Sequence, residues 1–129
     1  MDFDFLKKRL EGCYVTVPTM FKDSDLGLNL DATRSNVRFL MERGINEENA
    51  VILSGGAAGD FSTMTFDERI AVAKAIVEEA DGKMPVAMGA QTTNTMELCR
   101  LVKSAQDLGA DFVQISPPFY FEHTEDDFY

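Results

Sequence analysis

The sequence predicts an α/β fold on an all-parallel sheet, and three observations carry that prediction. Apolar runs at 13–19, 51–54, 85–89 and 112–116 are too short for helices, and each runs into Pro, Gly or Ser. Between them lie longer segments whose apolar residues recur at helical spacing and whose ends carry capping signals. Each strand–helix–strand step is long enough to be a crossover, which makes neighbouring strands parallel and the connections right-handed.

The elements follow in order. Phe3, Leu6 and Leu10 recur at i, i+3, i+7 and predict a short amphipathic helix ending near Gly12, a lid or packing helix ahead of the sheet. Cys13 to Thr19 is rich in Val, Thr and Tyr and reads as strand one, with Pro18 at its exit where a missing N–H is tolerated. Lys22 to Asn29 is a polar turn region. Val37, Leu40 and Met41 mark the buried stripe of a helix stopped by Gly44, and Val51 to Ser54 is strand two. Thr65 and Glu68 form an S/T-x-x-E capping box ahead of the stripe Ile70, Ala73, Val77 and Ala80, and this helix ends at Asp81-Gly82. Pro85 to Gly89 is strand three. Asn94 to Glu97 is a box-like cap before Leu98, Leu101, Val102, Ala105 and Leu108, closed by Gly109, and Phe112 to Ser116 is strand four, ended by Pro117-Pro118.

With 129 residues and 45% hydrophobic content the chain suffices for one compact domain. A net charge of −10 argues against a nucleic-acid backbone or an anionic membrane surface as partner. The start Met1-Asp2-Phe3 has no basic leader region, and no apolar run approaches the ~20 residues that span a bilayer, so a cytoplasmic protein is expected. Cys13 and Cys99 stand far apart without a CxxC pair and are expected to be buried thiols. His123, the only histidine, sits beside Glu122 and Glu125 on a polar stretch without partner ligands, so no metal site is expected.

The segment Val51-Ile52-Leu53-Ser54-Gly55-Gly56-Ala57-Ala58-Gly59-Asp60 carries the functional signal. A strand empties into small residues just before a helix start, which gives a loop whose backbone N–H groups can approach an anion. It offers room and donors but no nucleophile, and it serves equally as a tight structural turn. Ligand sites in parallel α/β folds gather at the carboxyl ends of strands, where this loop falls. Phosphate or nucleotide binding is the weakest reading, because no Lys-Ser/Thr follows the last glycine.

The order βαβαβαβ fits an open doubly wound sheet or half of a (β/α)8 barrel. Thr124 to Asp127 resembles the first turn of a further helix with no length left to complete it, which favours the barrel. The chain thus reads as residues 1–129 of the N-terminal half of a single TIM-barrel domain, cut at its carboxyl end.

These residues resemble the N-terminal half of the dihydrodipicolinate synthase and N-acetylneuraminate lyase superfamily. Thr19-Met20-Phe21 stands where that family has Thr-Pro-Phe, and Gly56-Ala57-Ala58-Gly59-Asp60 where it has Gly-Thr-Thr-Gly-Glu. Gly109-Ala110-Asp111 and Pro117-Pro118-Phe119-Tyr120 are similar to its Gly-Ala-Asp and Pro-Pro-Tyr-Tyr. The resemblance implies a class I (Schiff-base) lyase or aldolase acting on pyruvate or a related 2-keto acid, with no cofactor, and a homo-oligomer, tetramer or dimer, when full length. It further implies that Gly56, Ala57, Ala58, Gly59, Asp60 and Thr19 bind substrate and that Tyr120 is catalytic, as the tyrosine that completes a proton relay in a neighbouring subunit. Tyr120 also reads as an ordinary loop aromatic between Phe119 and Phe121.

The family's imine-forming lysine lies in the second half of the barrel. Lys22, Lys74, Lys83 and Lys103 fall on predicted turns and helices, so the chain alone is expected to be inactive. Ala57 and Ala58 replace paired threonines and bring no hydroxyl. The run Gly59-Asp60-Phe61-Ser62-Thr63-Met64-Thr65 is also similar to the 5-dehydro-4-deoxyglucarate dehydratase branch, which makes a sugar-acid dehydratase the first alternative. A non-catalytic half-barrel interaction module is the alternative of another class.

Overall fold

The computed structural model describes residues 3–118 and 122–128. Its elements in chain order are α1 (Phe3–Lys8), β1 (Cys13–Thr16), α2 (Leu30–Glu42), β2 (Ala50–Ser54), α3 (Phe66–Ala80), β3 (Val86–Gly89), α4 (Thr95–Leu108), β4 (Phe112–Gln114) and α5 (Glu125–Phe128). The four strands pair side by side in the order β1-β2-β3-β4, all parallel. This is the first half of a (β/α)8 barrel.

The helices start where side chains satisfy free N–H groups. Asn29 accepts from the Ala32 N–H at 3.1 Å and Asn94 from the Glu97 N–H at 3.0 Å. Thr65 and Glu68 complete the capping box, with the Thr65 N–H donating to Glu68 at 2.8 Å and the Glu68 N–H to the Thr65 hydroxyl at 3.3 Å. Gly109 ends α4 with φ +81°, a left-handed conformation that glycine adopts without steric cost.

Alternation along the strands divides the core. Ile52, Val86 and Val17 face the helices and pack with Val37, Val72 and Ile76, while Met88 packs with Ala73, Leu101 and Ala105. Val51, Leu53 and Ala87 point to the other face, the inside of the barrel, where Phe112 joins them. α3 is buried over a wider face than its predicted stripe: Val72, Ala75 and Ile76 join Ala73 and Ala80, whereas Ile70 and Val77 are half-buried.

Several expectations need correction. β1 ends at Thr16 rather than Thr19, because the Val17 N–H makes the last ladder bond, to the Leu53 carbonyl at 3.0 Å, and Pro18 has no N–H to continue it. β4 likewise stops at Gln114 instead of Ser116. Both cysteines are exposed rather than buried. Cys13 opens an edge strand, and Cys99 lies on the side of α4 turned away from its buried Leu101 and Ala105. The α1 stripe is not buried either, with Phe3 68% and Leu10 50% exposed. What ties this end of the chain down is polar. Arg9 pairs with Asp111 at 2.9 Å, and the other Asp111 oxygen accepts the Val86 N–H, so the amino-terminal ends of β3 and β4 are linked to the residue following α1.

Candidate active-site loop

Parallel pairing puts the carboxyl ends of all four strands on one edge, and the residues there are joined directly. The loop leaving β2 turns at Gly55 (φ +66°), forms a single 3-10 turn over Ala57–Gly59, and turns again at Asp60 (φ +53°). The Gly59 N–H donates to the Gly56 carbonyl at 2.8 Å and the Asp60 N–H to the Ala57 carbonyl at 3.3 Å. The N–H groups of Ala57 and Ala58 precede these bonds, and no acceptor among the described residues engages them. Both residues are exposed, whereas Gly56 and Gly59 are buried.

The buried glycines explain the small residues. A Cβ on Gly56 would lie 2.5 Å from Leu53 Cδ2 and 3.0 Å from Thr16 Cγ2, so the loop rests directly on the inner barrel face. Thr19, 7% exposed, donates its hydroxyl to the Gly59 carbonyl at 2.6 Å, and this bond crosses from the exit of β1 to the loop. Sequence reasoning assigned Thr19 to substrate binding; in the structure its hydroxyl ties it to the loop. Asp60 is exposed, and its carbonyl accepts from the Thr63 N–H and hydroxyl, a local turn that leads into the α3 cap. The candidate Tyr120, with Phe119 and Phe121, lies outside the described residues.

β3 and β4 complete the edge. The Gly89 backbone packs against Gly55 so closely that a Cβ on Gly89 would meet the Gly55 carbonyl oxygen at 2.3 Å. The Ala90 N–H donates to the Gln114 carbonyl at 2.8 Å. Thr19, the Gly55–Asp60 loop, Gly89 and the end of β4 are therefore gathered at one edge, as barrel chemistry requires.

Sequence reasoning missed Arg69. It is 5% exposed, and its guanidinium donates to the carbonyls of Gly89 at 2.8 Å and Gln91 at 3.0 Å, with the Phe61 ring 5.6 Å away. Burial lowers its pKa and the nearby Glu97 carboxylate opposes that shift. A signal was available, because Arg69 stands in helical register with buried Val72, Ala73 and Ile76, where a charge needs a reason. A small cleft of about 130 Å³ opens beside it, lined among others by Ser62, Gln91, Thr92 and Glu97. Among the described residues no cluster of His, Cys, Asp and Glu is arranged to hold a metal ion, and no helix is long and apolar enough to cross a membrane.

The family model of the dihydrodipicolinate synthetase family matches residues 9–129. The chain belongs to this family. Over 111 residues it is 37% identical to the 4-hydroxy-tetrahydrodipicolinate synthase of Methanosphaerula palustris, covering 85% of this chain and 37% of that protein. It is similar to the solved dihydrodipicolinate synthase of Thermotoga maritima, with 32% identity, a TM-score of 0.79, and coverage of 92% of this chain and 38% of that one. It is also similar to YagE, a prophage protein of the dihydrodipicolinic acid synthase family from E. coli K12, solved in complex with pyruvate, at 28% identity and a TM-score of 0.81 over 91% of this chain and 38% of that one. The chain spans 37–38% of the length of these relatives.

Proposed function

We propose that this chain is the N-terminal half of a class I lyase or aldolase acting on pyruvate or a related 2-keto acid, and that its glycine loop cradles the substrate carboxylate. The observation that carries the proposal is the pair of consecutive N–H groups of the exposed residues Ala57 and Ala58, which no acceptor among the described residues engages, on a loop anchored at Gly59 by Thr19. Two N–H donors fixed side by side suit a carboxylate, which accepts and does not donate. The pyruvate complex of YagE supports the choice of a keto acid.

The roles then divide. Ala57, Ala58 and the flanking Gly56 supply the anion cradle; Gly59 and Thr19 hold it in place; Asp60 turns the chain into α3. Tyr120 serves the proton relay by its match to the family tyrosine. None of the lysines among the described residues is on a strand: Lys7 and Lys8 lie on α1, Lys74 on α3, Lys103 on α4, and Lys22 and Lys83 in turns. No lysine among the described residues is thus placed on a barrel strand to form the imine, so the 129 residues alone bind but do not turn over. The missing hydroxyls at Ala57 and Ala58 favour, within the family chemistry, a sugar-acid dehydratase as the second reading. Homo-oligomerisation of the full-length protein belongs to the same proposal.

The test is a backbone amide-to-ester substitution at Ala58, which removes one N–H and leaves the side chains untouched. Losing one donor to a charged group costs on the order of 1.5–3 kcal/mol, or about ten- to a hundredfold in pyruvate affinity. Unchanged pyruvate binding returns the loop to a structural turn. Borohydride treatment with pyruvate is expected to leave the 129-residue chain unmodified, and a covalent adduct on it would refute the division of roles.

A further inference from the structure

We infer that Arg69 is a positioning residue for the anion cradle, acting on it through Gly89. The inference rests on the reading of the Ala57–Ala58 loop given above and extends it to a residue on α3 that does not itself belong to the loop.

Energetics single Arg69 out first. Arg9, Arg34 and Arg38 each pair with a carboxylate, at 2.9, 2.6 and 3.0 Å. Arg69 is buried at 5% exposure, yet among the described residues its hydrogen-bond partners are two backbone carbonyls, and its Nε–H finds no acceptor there. Burying a guanidinium in this way is costly, and an apolar side chain would fill the same stripe of α3 more cheaply. Its bidentate grip is specific in compensation. A planar fork that engages the Gly89 and Gln91 carbonyls together fixes the direction in which the chain leaves β3.

That direction matters because of what Gly89 touches. Its Cα faces the Gly55 carbonyl with no room for a methyl group, a Cβ there meeting the oxygen at 2.3 Å and the Gln91 Oε1 at 2.5 Å. Gly55 is the left-handed residue that starts the loop, and Gly59, at its far end, is held by Thr19. The cradle is thus clamped at two points: directly by Thr19 at its carboxyl end, and at its amino end by Gly89, whose carbonyl Arg69 holds. Backbone donors bind an anion well only when they are held in place before it arrives, and small misplacements are expensive.

The experiment compares the wild-type 129-residue chain with Arg69→Met, which keeps stem length and packing, and Arg69→Lys, which keeps the charge and one reach to a carbonyl. Pyruvate affinity is read by amide chemical-shift titration, and hydrogen exchange is followed without ligand at Gly59 and Asp60, whose N–H groups are bonded within the loop, and, as an internal reference, at Ile52 and Val72. Expected are a loss of affinity on the order of tenfold in Arg69→Met, partly rescued in Arg69→Lys, and faster exchange in the loop while Ile52 and Val72 remain protected. A purely structural role would raise exchange at Ile52 and Val72 to the same extent. Wild-type affinity and wild-type loop exchange in Arg69→Met would overturn the inference; if that variant does not fold, the same two readings on Arg69→Lys decide it. Absence of pyruvate binding in the wild type would defeat the cradle instead, and the ligand-free exchange comparison would still decide whether Arg69 positions the loop.

Discussion

Thr19 and Gly56 hold the loop by opposite means, one by a bond and one by the lack of a side chain. Thr19→Val removes the donor at 2.6 Å from the Gly59 carbonyl and leaves that buried acceptor unpaired, so a destabilisation of about 1–3 kcal/mol is expected in urea unfolding, with Thr19→Ser close to wild type. Equal midpoints for the Val and Ser variants would show that the hydroxyl does not anchor the loop. Gly56→Ala drives a methyl into Leu53 and Thr16, both side-chain ends that can shift, and an overpacking cost of about 1–3 kcal/mol follows. Gly89→Ala meets an immovable backbone oxygen and is expected to cost more than Gly56→Ala, a ranking that the same unfolding curves check. The small residues of the loop were visible in the sequence; that Gly89 presses on Gly55 was not, since the two lie on different strands.

At the scale of elements, α3 carries the clearest pH dependence. Hydrogen bonds from the Thr65 backbone N–H, and then from its hydroxyl, hold the Glu68 carboxyl below the ordinary glutamate range. Its folded pKa is below its unfolded one, so the stabilisation is present above the unfolded value and is lost as pH falls through the folded one. Arg34 lowers Glu78 on the same helix in the same sense. Glu68→Gln is therefore expected to flatten the acid limb of a plot of Tm against pH below about pH 4.3, while Thr65→Ala lowers Tm at neutral pH as well. Parallel acid limbs for wild type and Glu68→Gln would rule out this capping contribution. Cys99, exposed on α4, is expected to react with a thiol reagent in the native chain. Both capping signals were legible because caps are local, whereas the exposure of Cys99 depends on how α4 is rotated against the sheet.

For the whole molecule, the consequence of a half barrel is two free edges. β1 and β4 each have one neighbour among the described strands, and large apolar side chains are left exposed beside these edges, Tyr14 at 48% and Ile115 at 50%. Unpaired strand edges and apolar surface favour association, so light scattering of the 129-residue chain at tens of micromolar is expected to show more than a monomer. A stable monomer would mean that the sheet closes its edges within the chain. The order of elements, the parallel sheet and the position of the glycine loop were determined by the sequence alone, because hydrophobic period, caps and turn residues act over a few neighbours and crossover handedness leaves little choice. Only the tertiary structure decided that Thr19 spends its hydroxyl on Gly59, that Gly89 packs on Gly55, and that a charged residue in an apolar stripe grips the end of β3. Those contacts join residues 20 to 40 or so positions apart, where exclusion of water and close approach of backbones, rather than local preference, select the partners.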